Sequence, residues 1–128
     1  MDVKGEVIIV RVGVFSGRPN PEVTLSGELA DELARRAGAT IGKEPTDPPP
    51  PPQLGSYYGF LIQSPAEVVK RLRLPAEFSV YKGVLTEHTG RQQLHWRDVG
   101  AVEPFLIEQA FRQGHGDLLQ ERGIAPIK

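Results

Sequence analysis

The sequence predicts an α+β fold: a single compact domain whose mixed sheet of about four strands carries two to three helices, in the order β-α-β-α-β-β-α. Three observations predict it. Apolar residues alternate with period two in residues 6–15 and again beyond Phe78, apolar residues recur at helical spacing between Leu29 and Ala37, and no segment repeats. A length of 128 residues suits one hydrophobic core, so residues 1–128 are expected to form one domain.

Each element follows from local pattern. In residues 6–15, Ile8, Val10, Val12 and Val14 point one way and Val7, Ile9 and Phe15 the other, with Arg11 and Gly13 between them. Both faces are mostly apolar, which suits a central strand covered on two sides. Ser26 is placed to cap a helix over 27–37, where Leu29, Leu33 and Ala37 form the apolar stripe, Asp31 and Arg35 pair at i,i+4, and Gly38 supplies the stop. Residues 39–55 then read ATIGKEPTDPPPPPQLG, a proline-rich loop at about 44–54 with polyproline II character. Residues 57–63, YYGFLIQ, form a second strand. Ser64-Pro65-Ala66-Glu67 is a capping box that opens a short helix through about Leu72. Residues 78–88 and 91–97 are expected to pair as a hairpin turning at Thr89-Gly90, with a bulge near Lys82-Gly83. Residues 101–113 form a last helix, with Pro104 tolerated in its first turn.

Composition excludes several functions. The 15 Lys and Arg nearly cancel the 16 Asp and Glu, and no stretch is basic enough for nucleic acid. No apolar run approaches the roughly 20 residues of a membrane span, and the N-terminus lacks the basic and small-residue signature of a signal peptide. Cysteine is absent, which removes disulfides and thiolate chemistry. A cytoplasmic protein is therefore expected. The basic triplet Lys70, Arg71 and Arg73 is read as compensation of a helix dipole on a wet face.

The most restricted stretch is Phe15-Ser16-Gly17-Arg18-Pro19-Asn20-Pro21. Pro19 and Pro21 fix two φ angles and push Arg18 and Asn20 into extended conformations. Gly17 permits a tight turn, while Ser16 and Asn20 can close local bonds to backbone. A guanidinium on a stiff stalk, beside a backbone N–H, is a pre-organised partner for a carboxylate or phosphate. The stretch 16–21, with the downstream Gly55-Ser56-Tyr57-Tyr58-Gly59-Phe60, resembles a family of small microbial domains that carry the same Ser-Gly-Arg-Pro-Asn-Pro loop. That resemblance supplies no activity.

Other chemistry is sparse. Serine-nucleophile, Walker and dinucleotide glycine patterns are absent. His88, His95 and His115 invite a metal or acid–base site. A Thr89-Gly90 turn would set His88 opposite Arg91 and His95 opposite Val84, on one face but about 13 Å apart at ~3.3 Å per residue, too far to share an ion. His115, in Gly114-His115-Gly116, reads as a helix stop.

The expected function is thus a small soluble binding domain that holds an anionic group of a small molecule or an acidic peptide. The site residues are Arg18, Ser16, Gly17, Asn20 and Tyr57, without cofactor or metal. Two alternatives stand beside it. One is a metal-assisted or general acid/base enzyme using His88 and His95, and the other is an interaction module read through the prolines at 48–52.

Overall fold

The computed structural model describes residues 7–14, 20–51 and 57–124. Six strands form one sheet: β1 (Ile8–Val12), β2 (Glu22–Leu25), β3 (Phe60–Gln63), β4 (Glu77–Tyr81), β5 (Val84–Thr89) and β6 (Gln92–Arg97). They lie in the order β2-β1-β3-β4-β5-β6, and every neighbouring pair is antiparallel. Helix α1 (Glu28–Gly38) follows β2 and α2 (Ala66–Leu72) follows β3, while α3 (Val102–Ala110) and α4 (Gly116–Glu121) close the chain, joined by a wide turn at Phe111–His115.

The α+β class stands, but the four-stranded mixed sheet and the order β-α-β-α-β-β-α are corrected by this topology. Two strands account for the difference. Glu22-Val23-Thr24-Leu25 is strand rather than approach to a helix: it pairs with β1 so that Val10 faces Val23 and Ile8 faces Leu25, burying both apolar pairs. The prolines of the FSGRPNP stretch therefore lead from strand to strand. Lys82 and Gly83 make a two-residue hairpin turn, not a bulge. Both have positive φ, 49° and 77°, the conformation that matches the twist of an antiparallel pair, so the run from Phe78 to His88 divides into β4 and β5.

A further correction concerns the next hairpin. The turn lies at Gly90-Arg91, one residue later than expected, with Gly90 at φ 61°. His88 consequently pairs with Gln93 and His95 with Thr86, so the two histidines sit two residues apart along the ladder instead of four. Their faces are unchanged, because a two-residue slip preserves alternation.

One face of the sheet is the core face. Ile8, Val10 and Val12 of β1, Phe60 and Ile62 of β3, Phe78 and Val80 of β4, and Leu85 of β5 are essentially inaccessible. They form one cluster with Ala30, Leu33 and Ala37 of α1, Val68 of α2, Leu106 of α3 and Leu119 of α4, so the helices pack on that side. β1 is interior in the sheet, but it is not covered on both faces: on the other, Ile9 and Arg11 stay half-exposed. Trp96 lies against the core from the same side as Leu85 and gives its indole N–H to Glu87 at 3.0 Å.

Helix ends differ from expectation in detail. Gly27, at φ 57°, rather than Ser26 precedes α1, and Pro65 precedes α2 with no side-chain cap; the Ser64 hydroxyl is buried without a hydrogen-bond partner, so the capping box does not form. At α3 the cap comes from Asp98, whose two carboxylate oxygens accept the N–H groups of Val102 and Glu103, each at 2.8 Å. That places Glu103 at a fixed point in the first helical turn.

Candidate functional site

The face of the sheet away from the helices carries side chains set by strand alternation. Arg11 pairs across β1 with Glu22 on one side and Leu61 on the other, Leu61 with Ser79, Ser79 with Thr86, and Thr86 with His95, forming one row across the sheet. Neighbouring strands lie about 4.8 Å apart, so the side chains of this row form a continuous floor. Ser79 and His88 are diagonal neighbours in contact, Oγ to Nε2 at 3.2 Å, and Thr86 meets His95 Nδ1 at 2.9 Å. Arg11 forms an ion pair with Glu22 at 3.2 Å and donates to the Gln63 side chain.

One end of this floor is walled by an aromatic ring. Gly13 and Gly59 hydrogen-bond across the end of the β1–β3 ladder, and Tyr58 N donates to the Gly13 carbonyl. A Cβ on Gly13 would lie 2.5 Å from the Tyr58 ring, and one on Gly59, at φ 98°, would lie 2.2 Å from the Val80 carbonyl oxygen. Two glycines are what let the ring lie against β1 and the chain approach β4. The Tyr58 hydroxyl accepts the Asn20 amide at 2.7 Å, while Asn20 Oδ1 accepts Val14 N–H at 3.2 Å. Asn20 thus links Val14 to the tyrosine.

Together Arg11, Asn20, Tyr58, Leu61, Ser79 and His88 line a cleft of about 350 Å³. Leu61, Phe60 and the Tyr58 ring supply its apolar surface, and its polar residues are hydrogen-bond donors or can act as such; among the described residues no carboxylate lines it. The cleft lies at the β1 end from which the FSGRPNP stretch departs.

The structure distributes the expected residues as follows. Asn20 is in the cleft. Ser16, Gly17 and Arg18 lie outside the described residues. Tyr57 is turned away, 7% exposed, against Phe60 and Tyr81 on the core side, so Tyr58 rather than Tyr57 faces the cleft. The Tyr57 hydroxyl donates to Glu103 Oε2 at 2.5 Å, and the same carboxylate accepts Gly83 N–H at 2.8 Å and Lys82 N–H at 3.3 Å. Burial, reinforced by the Glu103 carboxylate, pushes the Tyr57 phenol well above its ordinary value of 10. This cluster staples the β4–β5 turn to α3, and Tyr57 also lines a separate pocket with Tyr81, Lys82 and Arg122. His88 lies in the cleft, His95 beside it, and His115 elsewhere, at the β2 edge. Among the described residues no three of His, Asp and Glu converge as a metal-binding group.

Sequence reasoning missed Arg11, Tyr58, Leu61 and Ser79 as cleft residues. The signal was present in Gly13 and Gly59, isolated glycines in strand patterns that mark close approach of another group. No family model, curated protein or solved structure matches the chain.

Proposed function

We propose that the chain is a binding domain whose open-face cleft takes a small molecule or the end of an acidic peptide, with its anionic group, a carboxylate or phosphate, held at the FSGRPNP end. The observation that carries this reading is the lining of the cleft. It combines an apolar floor with donor groups from Arg11, Asn20, Tyr58, Ser79 and His88, and among the described residues no carboxylate lines it, Glu22 reaching it only through its ion pair with Arg11. Arg18 stands two residues before Asn20 in the chain, and its guanidinium is the group matched to a planar oxyanion. Asn20 and Tyr58 are held by each other, so a ligand at that end meets donors whose ordering is already complete.

The test is the thermal midpoint across phosphate, sulfate and short carboxylic acids, on the natural chain and on Arg18→Ala and Tyr58→Phe. A ligand that binds only the folded state adds about 2.7 kcal/mol at a hundredfold excess over Kd. A rise in midpoint with an anion, reduced in both variants, supports the reading; an equal rise in all three proteins places binding elsewhere.

One contact favours a second reading. The Ser79–His88 pair at 3.2 Å has the spacing of a hydroxyl and a base. An acid–base enzyme built on it would turn over an activated ester at a rate abolished by His88→Ala and by Ser79→Ala alike; loss in one variant alone, or no turnover, removes it.

A further inference from the structure

The two edges of the sheet are closed in different ways. At β6 the closure is main chain: Thr46 N–H donates to the His95 carbonyl at 3.0 Å, Arg97 N–H donates to the Glu44 carbonyl at 2.8 Å, and Pro45, which has no N–H to offer outward, bridges Trp96. At β2, among the described residues, the closure is made by side chains. Gln113 Oε1 accepts Thr24 N–H at 3.1 Å and Gln113 Nε2 donates to the Thr24 carbonyl at 2.8 Å, so one amide side chain engages both outward groups of one strand residue. His115 Nε2 meets the next outward carbonyl, that of Glu22, at 3.0 Å. The amide of Gln113 reproduces what a peptide unit of a neighbouring strand would supply.

Both residues come from the wide turn between α3 and α4. Gly114, at φ 94°, separates them in the turn, and neither is tied down by burial. The rest of β2 suits pairing: it is extended, it alternates, and Glu22 and Thr24 are exposed. An unguarded strand edge of this kind is a template for another strand.

We propose that the α3–α4 turn is a built-in guard of the β2 edge, and that withdrawing Gln113 and His115 opens this edge to a second copy of the chain through antiparallel β2–β2 pairing. A second copy fits because β2 is its own complement about a two-fold axis. With Thr24 opposite Thr24 of the other copy, each chain's two outward groups at Thr24 bond to the other's, and Glu22 stands opposite Ser26 instead of opposite its own charge. The four-residue length of β2 makes the pairing weak, which is why two side chains are enough to prevent it.

The experiment is sedimentation or light scattering over a wide concentration range. The natural chain is expected as a monomer and Gln113→Ala/His115→Ala as a concentration-dependent dimer of twice the mass. Adding Thr24→Pro removes the outward N–H without breaking a bond to β1 and returns the double variant to monomer. A folded double variant that stays monomeric, or a dimer that persists with Thr24→Pro, overturns the proposal. Should the double variant not fold, Gln113→Asn, one methylene too short to span Thr24, decides by amide exchange: Thr24 exchanging about tenfold faster supports the guard, and an unchanged rate overturns it.

Discussion

Tyr57→Phe removes one oxygen from the buried cluster and leaves its shape intact. The ring keeps its edge-on contact with Phe60 at 5.8 Å between centroids and its tilted contact with Tyr81 at 5.9 Å, so the packing contribution is preserved. What is lost is the hydroxyl's bond to Glu103 at 2.5 Å, leaving that buried carboxylate with the two backbone donors of the β4–β5 turn. A hydrogen bond to a charged group contributes about 1.5–3 kcal/mol, so the variant is expected to lose about 2 kcal/mol in urea denaturation at neutral pH. The pH dependence has a definite sign. The folded-state phenol titrates above its ordinary value of 10, so its contribution is complete below pH 10 and falls as pH rises beyond it, where the unfolded chain ionises Tyr57 and the folded chain does not. At pH 11 the natural protein has therefore surrendered about 1.4 kcal/mol that the phenylalanine variant never held, and the difference between the two narrows accordingly. A loss below about 0.5 kcal/mol at neutral pH, or a difference that stays constant to pH 11, refutes the cluster as described.

Three further outcomes are expected. Gly59→Ala forces a side chain into positive φ and onto the Val80 carbonyl, and should cost about 2 kcal/mol or more with broadened signals across β3 and β4, measured by denaturation and amide spectra. Lys82→Asn keeps the backbone N–H that Glu103 accepts and relieves a residue at φ 49°, so it should raise stability by about 0.5–1 kcal/mol in the same assay. Asp98→Ala removes the carboxylate that caps α3 and should cost about 1–2 kcal/mol, with the first-turn amides of Val102 and Glu103 losing exchange protection.

What was legible in the sequence follows the length of each signal. Strand β1 and helices α1 and α3 are read from patterns long enough to fix their type; Ile8, Val10, Val12, Leu33 and Ala37 are buried as the periodicity selects, whereas Leu29, assigned to the apolar stripe of α1, is exposed. Strand β2 has four residues, too few for alternation to outweigh the helix signals beginning at Ser26; pairing with β1 decides it. Lys82-Gly83 and Gly90-Arg91 show how turn placement propagates. A glycine at positive φ suits a bulge or a turn equally from sequence alone, and moving one turn by a residue moves every pairing after it by two.

The site was legible in part for the same reason. Asn20 was found because prolines flank it, whereas Arg11 and Ser79 become neighbours only once β1, β3 and β4 lie side by side. The choice between Tyr57 and Tyr58 depended on Gly13 and Gly59, which bring one ring onto β1 and leave the other to Glu103. Buried hydroxyls and carboxylates find each other across a fold, and adjacent residues in sequence give no sign of which will do so.

The central claim is that the open face of the sheet holds an anion, and amide and side-chain chemical shifts measured during titration with inorganic phosphate and with a short carboxylic acid test it most directly. The account predicts saturable shifts centred on Arg11, Asn20, Tyr58, Ser79 and His88, attenuated by Arg18→Ala, with the helices unmoved. Shifts confined to the helical side, or no saturable shift with either anion, would contradict it.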